Sequence, residues 1–253
     1  MRRIRAVCCS HSGLVFRNNE DNYLFFRDVV RTELCQSVSD VGTAMGSRAC
    51  FGVFDGLGGL QESERASRCA AEDFRAWIRK NRLGLQCSGA TLRHCCAEIN
   101  QNVCALAETA GHRMGTTGVL LLLHRKQYAA ANVGDSPAYL YRNCHLYSIS
   151  QEHSDRQLLA KLNIRKRSTL AQFLGIPPET MELEPFCTDG RSFLGDRFLL
   201  CSDGLSAVVP EAQIELLCHD CKDTSACAEA LMRVALEAGG PDNITVIVCD
   251  IVQ

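Results

Sequence analysis

Apolar residues recur along this chain in two rhythms. Short, nearly unbroken apolar runs bounded by Gly, Asp or Asn fall at residues 21–26, 49–54, 118–124, 127–133, 138–142, 197–201 and 243–252. Runs of this length, rich in branched and aromatic side chains, predict strands. Turns at 126–127 and 143–144 predict hairpins among them. The second rhythm is helical. Residues 61–79 carry Ala66, Cys69, Ala70, Phe74 and Trp77 on one face, and 90–111 do the same with Leu92, Cys96, Ile99, Val103, Leu106 and Ala107. Gly111 supplies a stop for the second helix. A later helix pair is expected over 210–218 and 224–238, with Pro210 suited to a first helical turn and Gly239–Gly240 closing the pair. Residues 153–162 form a shorter candidate. Strands follow one another and helices come in pairs, without strict strand–helix alternation, so antiparallel sheets covered by helices are expected. The fold class is α+β: a four-layer α-β-β-α sandwich, two antiparallel β-sheets flanked by helix pairs.

Composition narrows the setting. The 253 residues contain no Pro/Ser/Gly-rich linker, so a single domain over 1–253 is expected, and 46% hydrophobic content suffices for a sizeable core. A formal charge of −2 gives no electrostatic case for nucleic acid or a membrane surface. The longest central apolar run, 118–123, is too short to span a bilayer, and the basic N-terminus lacks the apolar stretch of a signal peptide. A cytoplasmic monomer is the expectation. The 16 cysteines do not fit a small secreted disulfide scaffold. Cys50, Cys201 and Cys249 sit among apolar residues and read as buried thiols. The Cys218–Cys221 pair, with Cys227 nearby, leaves zinc open but lacks a second paired ligand set.

Candidate chemistry lies at the ends of the strands. Glu20 and Asp21 lead into the first predicted strand, Asp55 and Gly56 end the second, Asp203 and Gly204 follow 197–201, and Asp242 precedes the last. Each alone reads as an ordinary turn residue. Together, four rigid strands could bring their carboxylates to one place, where mutual repulsion and desolvation require a cation. An all-oxygen set selects magnesium or manganese over zinc or copper. Glycine after Asp55 would let a backbone carbonyl approach such an ion. Paired ions of this kind suit phosphoryl transfer. Neither a GxxxxGK[ST] phosphate loop nor a GxSxG nucleophile elbow occurs.

In chain order, NED, VFDGxGG, GTT, NVGDS, LLCSDGL and DNITVIV resemble the PPM, or protein phosphatase 2C-like, serine/threonine phosphatases, over about residues 13–251. Compact length and the absence of a signal resemble the bacterial branch. The resemblance implies that Asp55 bridges two metal ions, Asp203 and Asp242 complete the first site, and Glu20 with the Gly56 carbonyl holds the second. It further implies that Asp21 hydrogen-bonds metal-bound water, that Asp135 of NVGDS helps hold a third ion, and that Thr116 and Thr117 support the site. The implied reaction is hydrolysis of phosphoserine or phosphothreonine by a metal-bridging hydroxide, with Asp55, Asp21 and Asp203 at its centre and no phosphoenzyme. The implied cofactors are two Mn2+ or Mg2+ ions with a third. The implied partners are phosphoproteins, substrates of a bacterial serine/threonine kinase.

The chain departs from that pattern at three positions. Phe16 stands where many members carry a phosphate-binding arginine, and Arg17 follows it. In a strand the two would face opposite ways, which leaves Arg17 open as either a substrate-binding or a solvent-facing residue. Leu57 replaces the eukaryotic-type histidine and cannot donate a proton. Pro137 follows NVGDS in place of arginine. The segment between Gln151 and Gly175, where bacterial members place a flap, is short; its basic stretch 165–168 reads as a solvated loop or a docking surface. The alternative to an active phosphatase is a catalytically weak or inactive phosphoprotein-binding regulatory module on the same fold.

Overall fold

The computed structural model describes residues 3–26, 28–30, 37–45, 48–57, 62–81, 86–155, 159, 161–162 and 169–252. Among the described residues, twelve strands form two six-stranded antiparallel sheets. The first contains β1 (Arg3–His11), β4 (Ser37–Met45), β8 (Ala138–Arg142), β9 (His145–Ser148), β11 (Arg197–Cys201) and β12 (Ile244–Val252), in the order β4-β1-β12-β11-β8-β9. The second contains β2 (Asn22–Phe25), β3 (Asp28–Val30), β5 (Arg48–Phe54), β6 (Gly118–His124), β7 (Gln127–Val133) and β10 (Phe186–Arg191), in the order β10-β7-β6-β5-β2-β3. Helices α1 (Ser63–Lys80) and α2 (Gly89–Ala110) cover the second sheet. Helices α3 (Asp203–Ser206), α4 (Glu211–Asp220) and α5 (Thr224–Glu237) follow β11, and α4 and α5 cover the first.

The apolar runs are unbroken because both faces of the central strands are buried. In β12, Ile247, Cys249 and Ile251 enter the space between the sheets, while Ile244, Val246 and Val248 pack under α5. In β6, Val119, Leu121 and Leu123 face the other sheet, and Leu120 and Leu122 face α1 and α2. The two-residue period thus feeds three apolar layers between four structural ones. Tyr128 of β7 meets Phe198 of β11 across the inner layer at 5.2 Å between ring centroids. Phe54 meets Phe74 of α1 at 6.3 Å. Each fully buried aromatic of this kind contributes about 1.5–3 kcal/mol.

The α-β-β-α expectation holds. β6, β7, β8 and β11 have the expected bounds. β1 was not expected, yet it lies inside its sheet between β4 and β12. Its Ile4, Ala6 and Cys8 fill the inner layer while Val7 and Cys9 face the helices. The candidate helix over 153–162 lies partly, and the basic stretch 165–168 wholly, outside the described residues. The cysteines at 50, 201 and 249 are buried and in no disulfide, as expected.

Antiparallel register brings the candidate residues to one edge. Asn22 pairs with Phe54, Val53 with Val119, and Gly118 with Val133 in the second sheet. His11 pairs with Ile244, Cys201 with Val246, and Leu200 with Ala138 in the first. The start of β2, the ends of β5 and β7, the end of β11 and the start of β12 therefore share one rim. Among the described residues no helix is long and apolar enough to cross a membrane.

Candidate functional site

Asp21 is the deepest group at this rim. It precedes β2 and is fully buried. Its Oδ2 accepts Ser202 Oγ at 2.8 Å, from the residue after β11, and Thr245 Oγ1 at 2.6 Å, from β12. Ser10 Oγ lies 2.8 Å from Thr245 Oγ1, and Asn19 Nδ2 donates to Ser10 Oγ at 2.9 Å. Burial first, then the charges of Asp242 and Asp203, push the Asp21 carboxyl up to about 7, against the opposing pull of the two hydroxyls. Asp55 is raised well above the ordinary carboxylate range, by burial and then by the charges of Asp21, Asp203, Asp135 and Asp242. Five aspartates from separate loops thus share one field.

Backbone fixing explains how they get there. The Asp55 amide donates to Thr117 Oγ1 at 3.1 Å, and its carbonyl accepts Thr117 N at 2.8 Å and Thr116 Oγ1 at 2.7 Å. Thr117 Oγ1 also lies 2.7 Å from Ser136 Oγ, tying the Asp55 turn to the loop that carries Asp135. The supporting role expected of Thr116 and Thr117 is visible in these bonds. Glu20 is held at both ends: its amide donates to Asn243 Oδ1 at 2.7 Å, and its Oε2 accepts Ser63 Oγ from α1 at 2.8 Å. Ser67 Oγ donates to its carbonyl at 2.5 Å. Asn243 Nδ2 donates to the carbonyls of Ser12 and Asn18. Asp203 opens α3, and its neighbour Gly204 lies so close to Asn243 O that a Cβ would sit 1.9 Å away. Gly56 has a comparable reason to lack a side chain: a Cβ there would meet Ser63 O at 2.7 Å and Glu20 O at 3.0 Å. That glycine therefore permits close packing of chain on chain, whatever else it permits.

Asn243, Ser202, Thr245 and Ser63 were not singled out in the sequence. The available signal was adjacency: Asn243 follows Asp242, and Ser202 precedes Asp203.

Arg17 does not lie on a strand. Residues 12–21 form no strand, so alternation across a strand does not decide where Arg17 points. Arg17 is exposed, next to the exposed Leu14, Val15 and Phe16. Leu57, by contrast, is half-buried against Gly115, where its Cδ1 would lie 2.9 Å from an added Cβ beside Phe173.

Among the described residues no three His, Cys, Asp or Glu side chains stand in a closed set that could hold a metal ion. The carboxylates nonetheless lie within electrostatic reach of one another. Their chemistry fits a hard divalent cation: the donors are all oxygen, their charges oppose one another, and a cation would offset that repulsion. The Cys218–Cys221 pair with Cys227 forms no such set either.

A family profile described as Protein phosphatase 2C matches residues 30–237. The chain is 29% identical over 225 residues to the serine/threonine phosphatase stp of Listeria monocytogenes, covering 78% of this chain and 82% of that protein. Its fold superposes on the catalytic domain of the serine/threonine protein phosphatase PstP in complex with two manganese ions, with TM-score 0.77, 27% identity and 100% of both chains covered. It also superposes on PppA of Pseudomonas aeruginosa, a regulatory component of the T6SS, with TM-score 0.75, 27% identity, and 98% and 97% coverage.

Proposed function

The chain belongs to the protein phosphatase 2C family, and from that premise we propose that it hydrolyses phosphoserine and phosphothreonine in proteins, directly and with metal ions. The observation that carries this reading is the raised Asp55 carboxyl inside a field of four other aspartates. Asp21 is buried and Asp55, Asp135, Asp203 and Asp242 are half-buried, and such a gathering of acids is costly unless cations complete it. PstP, similar over its whole catalytic domain, was crystallised with two manganese ions.

Asp55, Asp203 and Asp242 are the residues that would hold one ion, and Asp55, Glu20 and the Gly56 carbonyl the other; Asp135 would contribute to a third. Two divalent ions, when bound, supply a nucleophile at neutral pH and neutralise charge on the phosphoryl and leaving oxygens. The chain's own part is positional. Thr116 and Thr117 hold the Asp55 turn, Asn243 and Ser63 hold Glu20, and Ser202 and Thr245 hold the Asp21 carboxylate oxygen. Asp21, fixed by two hydroxyls and with a carboxyl near 7, can accept a proton from water close to physiological pH. Leu57 offers no acid for the leaving alkoxide, so proton delivery falls to solvent. Arg17, on the exposed loop that leads into Glu20, would grip substrate phosphate. The substrates would be phosphoproteins made by a bacterial serine/threonine kinase.

The test is phosphate release from phosphothreonine peptides by the purified chain in manganese, magnesium or chelator. Release should require the metal and disappear in Asp203→Asn. Folded protein without turnover in manganese would overturn the enzymatic reading. It would favour the second one, a phosphoprotein-binding module, which the apolar packing of Leu57 against Gly115 supports.

A further inference from the structure

Three cysteines gather where α4 meets α5. Cys218 lies in the last turn of α4, Cys221 caps that helix, and Cys227 lies in the first turn of α5. Cys218 and Cys227 are buried in one apolar layer and in no disulfide. Their thiols are hydrogen-bonded to each other across the two helices. The Cys227 sulfur also lies 4.0 Å from the Leu217 carbonyl of α4. Cys221 is half-buried, nearer solvent, and its amide donates to the same carbonyl at 3.0 Å.

A fixed cation stands against the pair. Arg197 opens β11, at the end opposite Asp203. Its Nε and Nη2 donate to the two Asp250 carboxylate oxygens at 2.7 and 2.9 Å. Its Nη1 donates to the carbonyls of Cys218 at 3.0 Å and Cys221 at 2.6 Å, and Nη2 to that of Lys222 at 3.3 Å. It also hydrogen-bonds the Cys227 sulfur. The Cys218 thiol and the Arg197 charge hold Cys227 below the ordinary thiol value, against burial and Asp250. Cys218, the donor of the pair, is pushed up and keeps its proton. Cys201 and Cys249 differ: burial and neighbouring acids push both thiols up.

We propose that Cys218 and Cys227 are an oxidation site: a hydroperoxide converts them to a reversible disulfide that staples α4 to α5. The Cys227 thiolate sulfur attacks one peroxide oxygen and the O–O bond breaks. That gives a sulfenic acid and hydroxide, which takes up the proton Cys227 had released. The Cys218 sulfur then displaces the sulfenic hydroxyl as a second water. Two thiols lose two electrons and one peroxide becomes two waters. The connection 221–223 covers the pair, so its local opening admits the oxidant. Arg197 keeps Asp250 and the three carbonyls after the step, so no buried charge loses its partners.

The test is peptide mapping of the unsubstituted chain. The folded chain is treated with hydrogen peroxide, alkylated in urea and cut with trypsin. Cleavage after Lys222 puts Cys227 on one peptide and Cys218 and Cys221 on another. The expected product joins these peptides, with fragmentation placing the bond on Cys218 and the alkyl label on Cys221. Dithiothreitol should return both peptides to the alkylated form, and Cys221→Ser should link as before. The linked chain should melt about 5 °C higher, and Cys218→Ser treated alike should not. Alkylation of both Cys218 and Cys227, a Cys221–Cys227 bond, or Cys227 carried on to sulfinic acid would each overturn the pair. So would linking as fast in urea as in the folded chain. A linked chain that melts no higher would overturn the staple. None of these readouts requires turnover, so this inference and the phosphatase reading fail separately.

Discussion

Thr245 of β12 donates to Asp21 Oδ2 at 2.6 Å, joining the start of a strand in one sheet to the interior of a strand in the other. The bond is one of two that oppose the upward pressure of burial on that carboxyl. Thr245→Val keeps the shape and removes the donor. In the metal-free chain the Asp21 carboxyl should then rise above about 7. Loss of one hydrogen bond to a charged group should cost about 1.5–3 kcal/mol where Asp21 is ionised. A pH series of urea unfolding in chelator on both proteins checks the first; urea unfolding at pH 8 checks the second.

The Asn243 side chain makes three bonds along the single loop 12–21: to the Glu20 amide, the Ser12 carbonyl and the Asn18 carbonyl. Asn243→Ala leaves all three without that partner, at about 1 kcal/mol each, so a loss of about 2–3 kcal/mol is expected in denaturant unfolding. Because the Glu20 amide is one of the three, manganese affinity by calorimetry should fall as well. Full stability in Asn243→Ala would show that water or neighbouring groups replace these bonds.

The central strands were legible because their apolar runs are buried on both faces, and four have the expected bounds. Four of the unanticipated strands, β3, β4, β9 and β10, are the edges of the two sheets. An edge strand needs only one bonded neighbour and little apolar content. β10 reads Phe-Cys-Thr-Asp-Gly-Arg, and β9 leaves His145, Tyr147 and Ser148 exposed. β1 escaped notice for a different reason. Arg3 and Arg5 alternate with Ile4 and Ala6, and its burial comes from neighbours distant in sequence. At the rim, the acids announced themselves through charge at strand ends. Their neutral supports did not, because an Asn or Ser in a turn acquires meaning only from the partners that folding brings to it.

The raised carboxyls of Asp21 and Asp55 carry a sign for stability. An acid with a higher pKa folded than unfolded keeps its proton in the folded chain after the unfolded chain has lost it. The folded state then binds more protons, and stability falls as pH rises. For Asp21 that window runs from the ordinary 3.8 to about 7. In chelator, the melting temperature should decline from pH 5 to pH 7.5. Manganese should remove most of the decline, because a cation offsets the same charges and binds only the folded chain. A melting temperature in chelator that rises across this window would contradict the buried-acid account.

Arg17 is the residue proposed to grip substrate phosphate. Phe16 occupies the position at which the family resemblance places an arginine, and the loop 12–21 leaves both residues exposed near Glu20. An exposed loop, unlike a strand, can turn Arg17 toward the rim when a phosphoryl group arrives there. Its bonds would form with substrate and transition state alike, so removing it should act mainly on binding. Arg17→Ala is therefore expected to raise KM for a phosphothreonine peptide about three- to ten-fold, with kcat changed much less. Arg17→Lys keeps the charge without the bidentate fork and should recover part of that loss. An unchanged KM in Arg17→Ala would assign the residue to the solvated surface and leave phosphate binding to the metal ions alone.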